Sequence, residues 1–224
     1  MELDMKRKIA ESAKAALLEF EKEPMDSYYD NPLAGYPSRL RVRKILRELG
    51  DIRDRKVLDI GCEAGYISLK LLKKGAHPVS FDLCKPALKK FKEKLSNMPD
   101  AHAAPFVAIA QAIPLKSNSV DAVVCTEVLE HAPYADICIK EMARVVKPGG
   151  KVVITFPNEP AREKLYPIAK LLGVNTDVEK EVTLFSYKID DILKECRKHF
   201  LVEKSYAIPW FYPITHVVVC RKWH

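Results

Sequence analysis

Between residues 57 and 158 the chain alternates short apolar, β-branched runs with stretches of helical periodicity, and that alternation admits few folds. Runs at 57–60, 77–82, 106–109, 122–126 and 152–156 have the length and apolarity of parallel strands buried on both faces. Helices interleaved with such strands require right-handed crossovers, which predicts a doubly wound α/β sheet. Ligands in sheets of this kind bind at the carboxyl ends of the strands, where the strand order reverses. Gly61, Asp82, Ile109, Glu127 and Asn158 all fall at such ends, so the pattern predicts one shared site.

The first strand leads into Gly61-Cys62-Glu63-Ala64-Gly65, a glycine-bounded turn that opens a helix. A turn of this composition lets backbone approach a ligand where a side chain would collide. The second strand ends in Asp82, about 20 residues on, the spacing of an acid that holds a ribose diol. An adenosine-containing cofactor is the reading. Glu63 puts a carboxylate where a dinucleotide's pyrophosphate would have to come close, which disfavours NAD and FAD. A cationic sulfonium carrying an amino group meets no such repulsion.

These residues resemble motif I and the following acidic strand end of class I S-adenosylmethionine-dependent methyltransferases. Three further blocks are similar to the type 11, small-molecule subgroup: the segment 110–125 through the fourth strand, the loop Thr126-Glu127-Val128-Leu129-Glu130-His131, and the helix-turn-strand segment 141–151. The resemblance implies a Rossmann-like fold, mostly parallel, closed by an antiparallel C-terminal hairpin strand, with S-adenosylmethionine as cofactor. It implies that Asp82 binds the ribose hydroxyls. The cofactor-binding set it points to is Gly61, Cys62, Glu63, Gly65, Asp82, Leu83, Ile109, Ala110, Gln111 and Glu127. Two positions depart from the family pattern: Glu63 stands where a glycine is usual, and Ile109 where an acid often meets adenine. Adenine recognition then falls to backbone near Ala110 and to apolar packing by Ile109 and Leu83.

The length suits a single domain, read as an N-terminal helical lid over residues 1–50, a cofactor core over 51–160 and a substrate-side region with the closing hairpin over 161–224. Residues 3–22 have apolar positions at helical spacing, and a second helix is predicted over 38–49. Tyr28 and Tyr29, in the loop between them, either pack against the domain or contact cofactor or substrate. In the tail a helix over 189–199 precedes strands at 201–208 and 214–221. The turn between those strands, Pro209-Trp210-Phe211-Tyr212-Pro213, is expected to pack on the helix over 159–172, with walling of an apolar substrate pocket as the other reading.

No apolar run reaches the ~20 residues of a membrane span, and the charged N-terminus does not read as a secretory signal. Scattered cysteines without a C-x-x-C pair fit reduced thiols in a cytoplasm and no metal site. The formal charge of +7 raises nucleic acid as a partner. Arg39, Arg41, Arg43, Lys44 and Arg47 form the densest basic cluster, read first as a solvated helix face and second as a phosphate-binding patch. The loop after the fourth strand is not the [DN]-P-P-[YF] of base-amine methyltransferases, and Cys125 lacks the preceding proline of the C5-pyrimidine type.

Methyl transfer from a sulfonium needs nucleophile and methyl held in line. A hydroxyl acceptor also needs a base, and His131 is the candidate by type and position. Glu130 and Asn158 are placed on the substrate side with the two tyrosines, and Asp59 is read as a structural brace of the glycine turn. The predicted function is methyl transfer to a small-molecule, lipid or quinone-like acceptor. The alternatives are an RNA-modifying methyltransferase guided by the basic helix, or a catalytically weak cofactor-binding partner subunit.

Overall fold

The computed structural model describes residues 2–22, 35–98, 103–171 and 176–224. Among the described residues two helices come first, α1 (Glu2–Lys22) and α2 (Tyr36–Leu49). The alternating part runs β1 (Lys56–Ile60), α3 (Tyr66–Lys73), β2 (His77–Asp82), α4 (Lys85–Ser96), β3 (Phe106–Val107), β4 (Val120–Thr126), a 3-10 turn (Leu129–His131), α5 (Ala135–Val145) and β5 (Val146–Pro157). The tail adds α6 (Glu159–Leu171), α7 (Thr176–Val182), α8 (Ile189–Arg197), β6 (Phe200–Ile208) and β7 (Thr215–Lys222).

The strands form one seven-stranded sheet in the order β3-β2-β1-β4-β5-β7-β6. β3, β2, β1, β4 and β5 are parallel, whereas β7 pairs antiparallel with both β5 and β6. The doubly wound reading and its antiparallel closing strand are therefore realised. The order reverses between β1 and β4, so the switch point lies at the carboxyl ends of these two strands.

Alternate residues of each strand supply two apolar layers. Leu58, Ile60, Val123, Cys125, Val152 and Ile154 pack with α5 and α8 on one face. Val57, Val124, Val153, Val217 and Val219 pack with α2 and α3 on the other. All six cysteines are free and buried, and among the described residues no helix is long and apolar enough to cross a membrane.

Several boundaries differ from the expected ones. β3 is only two residues long, because Ile109 turns back to bridge Ala112 and leaves the sheet. β5 starts six residues before the expected 152, since Val146 already pairs with Val120 across a register shift. The short helix α7 was not anticipated; its sequence, TDVEKEV, has too few apolar positions for a periodic signal. It is held by α1, with Val178 and Val182 packing against Ala15.

Gly65 sits at φ +83°, capping the N-terminus of α3. A Cβ there would lie 2.1 Å from Phe91 Cδ2 of α4. Gly65→Ala is therefore expected to lower stability by about 3 kcal/mol, from the left-handed backbone and the overpacked ring together. Urea unfolding of the two proteins measures it; an unchanged midpoint would show that α4 yields freely.

Candidate functional site

At the switch point the turn after β1 is sewn to the end of β2 by backbone. The N–H groups of Gly61 and Cys62 donate to the Phe81 carbonyl at 3.0 and 3.1 Å. Asp82 takes the next two: Glu63 N–H donates to Oδ2 at 2.8 Å and Cys84 N–H to Oδ1 at 2.7 Å. Burial pushes the Asp82 carboxyl above its ordinary range, and the Cys84, Glu63 and Leu83 amides pull it part of the way back. Each carboxylate oxygen has a second lone pair, so Asp82 can still accept hydroxyls from a ligand. Beneath it, Ser68 donates to Asp59 at 2.5 Å and accepts from Ser80 at 2.7 Å. Burial raises the Asp59 carboxyl to about 7, with the Ser68 hydroxyl opposing. Asp59 thus ties α3 to the strands, as a brace.

Above this floor lies a cavity, roofed by Ile9, Ser12, Ala16, Glu19 and Phe20 of α1. Of the predicted cofactor residues, Gly61, Glu63, Asp82, Leu83, Ala110, Gln111 and Glu127 line it. Gln111 is oriented by donating its side-chain amide to the Pro133 carbonyl at 2.7 Å. Three do not reach it. Cys62 packs instead with Leu88, Phe91 and Leu95; Gly65 is turned to Phe91; and Ile109 is spent on its bridge to Ala112, leaving Ala108 and Ala110 at the wall.

On the other side of the switch point stands Glu127, at φ +51° just past β4. Thr155 donates to its Oε1 at 3.0 Å, Arg41 Nη1 lies 3.3 Å from Oε2, and Arg162 bonds the same oxygen. Burial opposes ionisation here, but the two guanidiniums outweigh it and hold the carboxyl below its ordinary value. Arg41 is 5 % exposed. It therefore leaves the solvated basic face on which the sequence had put it.

His131 lines the cavity from the 3-10 turn. Its Nδ1 is 2.7 Å from the Val182 carbonyl, which can only accept, so Nδ1 keeps a proton and in the neutral ring Nε2 carries the lone pair. Nε2 is 3.8 Å from Glu19 Oε2 and 3.9 Å from Glu130 Oε1, too far for hydrogen bonds but close enough for carboxylates there to attract the ring once it is protonated. Burial would lower the imidazole pKa; the Glu130 and Glu19 carboxylates reverse that and raise it. Glu130 itself is buried behind the histidine and outside the cavity lining. Burial, then the charge of Glu127, pushes it up to about 8. Its carbonyl accepts the Leu184 and Phe185 amides at 3.1 and 2.9 Å, which fastens the segment after α7 to this turn.

The remaining substrate-side expectations separate. Asn158 is not at the cavity: its side-chain amide donates to the Pro213 carbonyl at 2.8 Å and anchors the β6–β7 hairpin. Tyr28 and Tyr29 lie outside the described residues. The aromatic turn also divides, since only Tyr212 reaches α6, donating to the Ala161 carbonyl at 3.2 Å. Trp210 and Phe211 neither pack there nor wall the cavity.

Sequence reasoning did not single out Glu19, Thr126, Arg162 or the Val182 carbonyl. A signal existed for the first: Ser12 and Glu19 interrupt the stripe of Ile9, Ala16 and Phe20, and polar residues on a buried stripe need partners. Among the described residues no three His, Cys, Asp or Glu side chains gather as a metal site.

Comparison with known proteins bears on the family and the fold. Residues 58–154 match the type 11 family described as "Methyltransferase domain". Residues 58–154 therefore form a methyltransferase domain of that family. It is 30% identical over 129 residues to the ubiquinone biosynthesis O-methyltransferase of Alkalilimnicola ehrlichii, which covers 58% of this chain and 52% of that protein. It is 33% identical over 132 residues to the protein of the same name from Nitrosomonas europaea, covering 58% and 55%. The chain thus spans about half the length of the curated relatives it matches. Among solved structures, the PH0226 protein of Pyrococcus horikoshii superposes with a TM-score of 0.70 at 17% identity, over 88% of this chain and 95% of that one. An S-adenosylmethionine-dependent methyltransferase from Mesorhizobium loti gives 0.66 at 15% identity, over 84% and 99%. These likenesses agree in fold.

S-adenosylmethionine is the cofactor of the domain, and the residues present fit it. Thr126 Oγ1 is buried at the cavity wall without a hydrogen-bond partner. Glu19, Glu63 and Asp82 put carboxylates on the wall of a site for a cation.

Glu127→Gln takes from the buried Arg41 and Arg162 the carboxylate they share, so a loss of about 3 kcal/mol is expected at neutral pH. The sign of the pH dependence follows from the lowered pKa. The stabilisation is present above the ordinary 4.5 and disappears as pH falls through the folded value. Wild type and variant should therefore converge in denaturation measurements below about pH 4.5. A gap that stays constant with pH would mean that Glu127 contributes by shape and not by charge.

Proposed function

We propose that this chain methylates a hydroxyl on a small quinone-like or lipid acceptor, with His131 as the general base. The observation that carries the reading is the free Nε2 of His131, held at the cavity wall by an Nδ1 proton committed to the Val182 carbonyl. The O-methyltransferase names of the relatives point in the same direction. Retreat of Arg41 to Glu127 removes a charge from the basic patch that the RNA reading needs.

When bound, S-adenosylmethionine supplies an activated methyl group on a sulfonium. Asp82 would hold the ribose hydroxyls, the backbone around Gly61 and Glu63 would border the methionine half, and Leu83, Ala110 and Gln111 would border the adenine. Positioning alone can supply roughly 7–11 kcal/mol of the barrier reduction. A phenolic hydroxyl, with an ordinary pKa near ~10, is a weak nucleophile until its proton leaves. His131 Nε2 would accept that proton, and the Glu19 carboxylate, with Glu130 once it is ionised, would stabilise the imidazolium formed. Glu130 is then a positioning residue acting through His131. α1 would exclude water, since its Ser12-Ala16-Glu19 face roofs the cavity.

Two measurements test the two halves separately. Calorimetric titration with S-adenosylmethionine and S-adenosylhomocysteine should give saturable binding that Asp82→Ala abolishes; no binding to wild type would sink the cofactor assignment for this chain. On a catechol-type quinone precursor, kcat should rise with pH through a value above 6.5, the ordinary histidine pKa. His131→Asn should remove that limb and lower kcat by roughly 10²–10⁴-fold while leaving cofactor affinity intact. An unaltered pH profile in the variant would rule His131 out as the base.

A further inference from the structure

The hairpin that closes the sheet ends in a tip that its own anchors hold out of the fold. Tyr212 N–H donates to the Pro209 carbonyl at 3.2 Å and Ile214 N–H to the Ile208 carbonyl at 2.9 Å. The Tyr212 hydroxyl and the Asn158 amide fix the turn to α6 and to the end of β5. Between these anchors Trp210 is 89% and Phe211 62% exposed, their rings 6.0 Å apart and perpendicular. A fixed backbone therefore offers two large aromatic side chains to water.

The location matters as much as the exposure. Thr215 pairs with Pro157 and Arg221 with Lys151, so the tip extends past the carboxyl end of β5, the end of the sheet that carries the cavity. α2 lies alongside: Ile208 and Tyr206 share an apolar cluster with Leu40 and Val42. That helix carries five basic residues and no acid before Glu48, and Arg43 is exposed on it, two residues from the Arg41 that reaches Glu127 at the cavity end. The tip is thus an aromatic pair beside a cationic edge on a chain of formal charge +7.

Three kinds of partner could meet such a surface, and the geometry separates them. A single-stranded nucleic acid wants flat rings on which bases stack in succession, whereas perpendicular rings make a wedge. A stable protein partner typically covers about 800 Å² on each side, far more than two side chains offer. An anionic bilayer needs only a few aromatic side chains at headgroup depth and cations over the phosphates. We propose that Trp210, Phe211 and the basic edge of α2 dock this protein onto an anionic membrane surface, with the cavity end of the sheet turned toward the bilayer. This rests on the hairpin and α2, independently of the acceptor proposed above.

The chain has two tryptophans, and Trp223 follows β7 at the opposite end of the sheet. Trp223→Phe therefore leaves Trp210 as sole reporter. Its emission should shift to the blue on addition of equimolar phosphatidylglycerol–phosphatidylcholine vesicles, and the protein should sediment with them, but not with phosphatidylcholine alone. Trp210→Ala with Phe211→Ala, and separately Arg43→Glu, should each weaken partitioning by roughly tenfold. Unchanged S-adenosylmethionine affinity in these variants would show that the fold is intact. Absence of sedimentation, or sedimentation indifferent to the aromatic pair, would overturn the proposal. So would a Trp210 emission change with single-stranded RNA, or with self-association, in the absence of vesicle binding.

Discussion

One buried carboxylate holds the site end of this molecule together. Glu127 receives Arg41 from α2, Thr155 from β5 and Arg162 from α6 while sitting at the end of β4. Removing a carboxylate from water costs several kcal/mol, and a single partner in an open geometry would not offset that. Two guanidiniums and a hydroxyl do, and the lowered carboxyl pKa is the sign of it. The consequence reaches beyond the site, because α2 is pinned at both ends. At its far end Glu48 accepts Lys204 of β6 at 2.7 Å and Tyr206 at 3.2 Å. With both ends tied, Val42, Ile45 and Leu49 of α2 cover the sheet face formed by Val57, Val124 and Val217.

The two halves of the cavity are built from different materials. The half under Asp82 is backbone: amides of residues 61–63 and 84 meet a carbonyl or a carboxylate, and strand pairing fixes all of them. The half around His131 depends on side chains and on elements that arrive from far along the chain, α1 with Glu19 and α7 with the Val182 carbonyl. Backbone geometry is set by the sheet and tolerates many side chains. Side-chain geometry changes with each substitution. A fold of this kind can thus keep one ligand while varying another.

The same division explains what could be read from the sequence. Strand–helix alternation and the ordered motif blocks gave the parallel sheet, Gly61 and Asp82, because each rests on local spacing. The pairing of the blocks at 110–119 and 141–151 also has a physical basis. Arg144 donates to the Ile113 and Leu115 carbonyls at 2.7 Å each, and Glu141 accepts the Ile113 amide at 2.8 Å. Arg41 was misread because five basic residues on one helix look alike until a buried acid selects one. Asn158 lies at the expected strand end, but its side chain is committed to Pro213. Cys62 and Gly65 stand inside a ligand-binding motif and yet serve packing, a distinction that spacing cannot make.

Gly61, Glu63 and Gly65 all adopt left-handed backbone, at φ +69°, +45° and +83°. A Cβ at Gly61 would lie 2.3 Å from Val128 Cγ2 and one at Gly65 2.1 Å from Phe91, so neither position admits a side chain. Position 63 lines the cavity and does. The left-handed conformation costs an ordinary residue about 1–2 kcal/mol. The Glu63 amide donates to the Asp82 carboxyl, an interaction of at least about 0.5–1.5 kcal/mol, comparable with the strain. Asp82 therefore has two tasks, as a ligand-facing acid and as the group that lets a non-glycine complete the turn. What the turn requires at position 63 is a shape, and Asp82 supplies it. The freedom gained there adds a carboxylate to the wall of a site whose cofactor is a cation, where it attracts and does not repel.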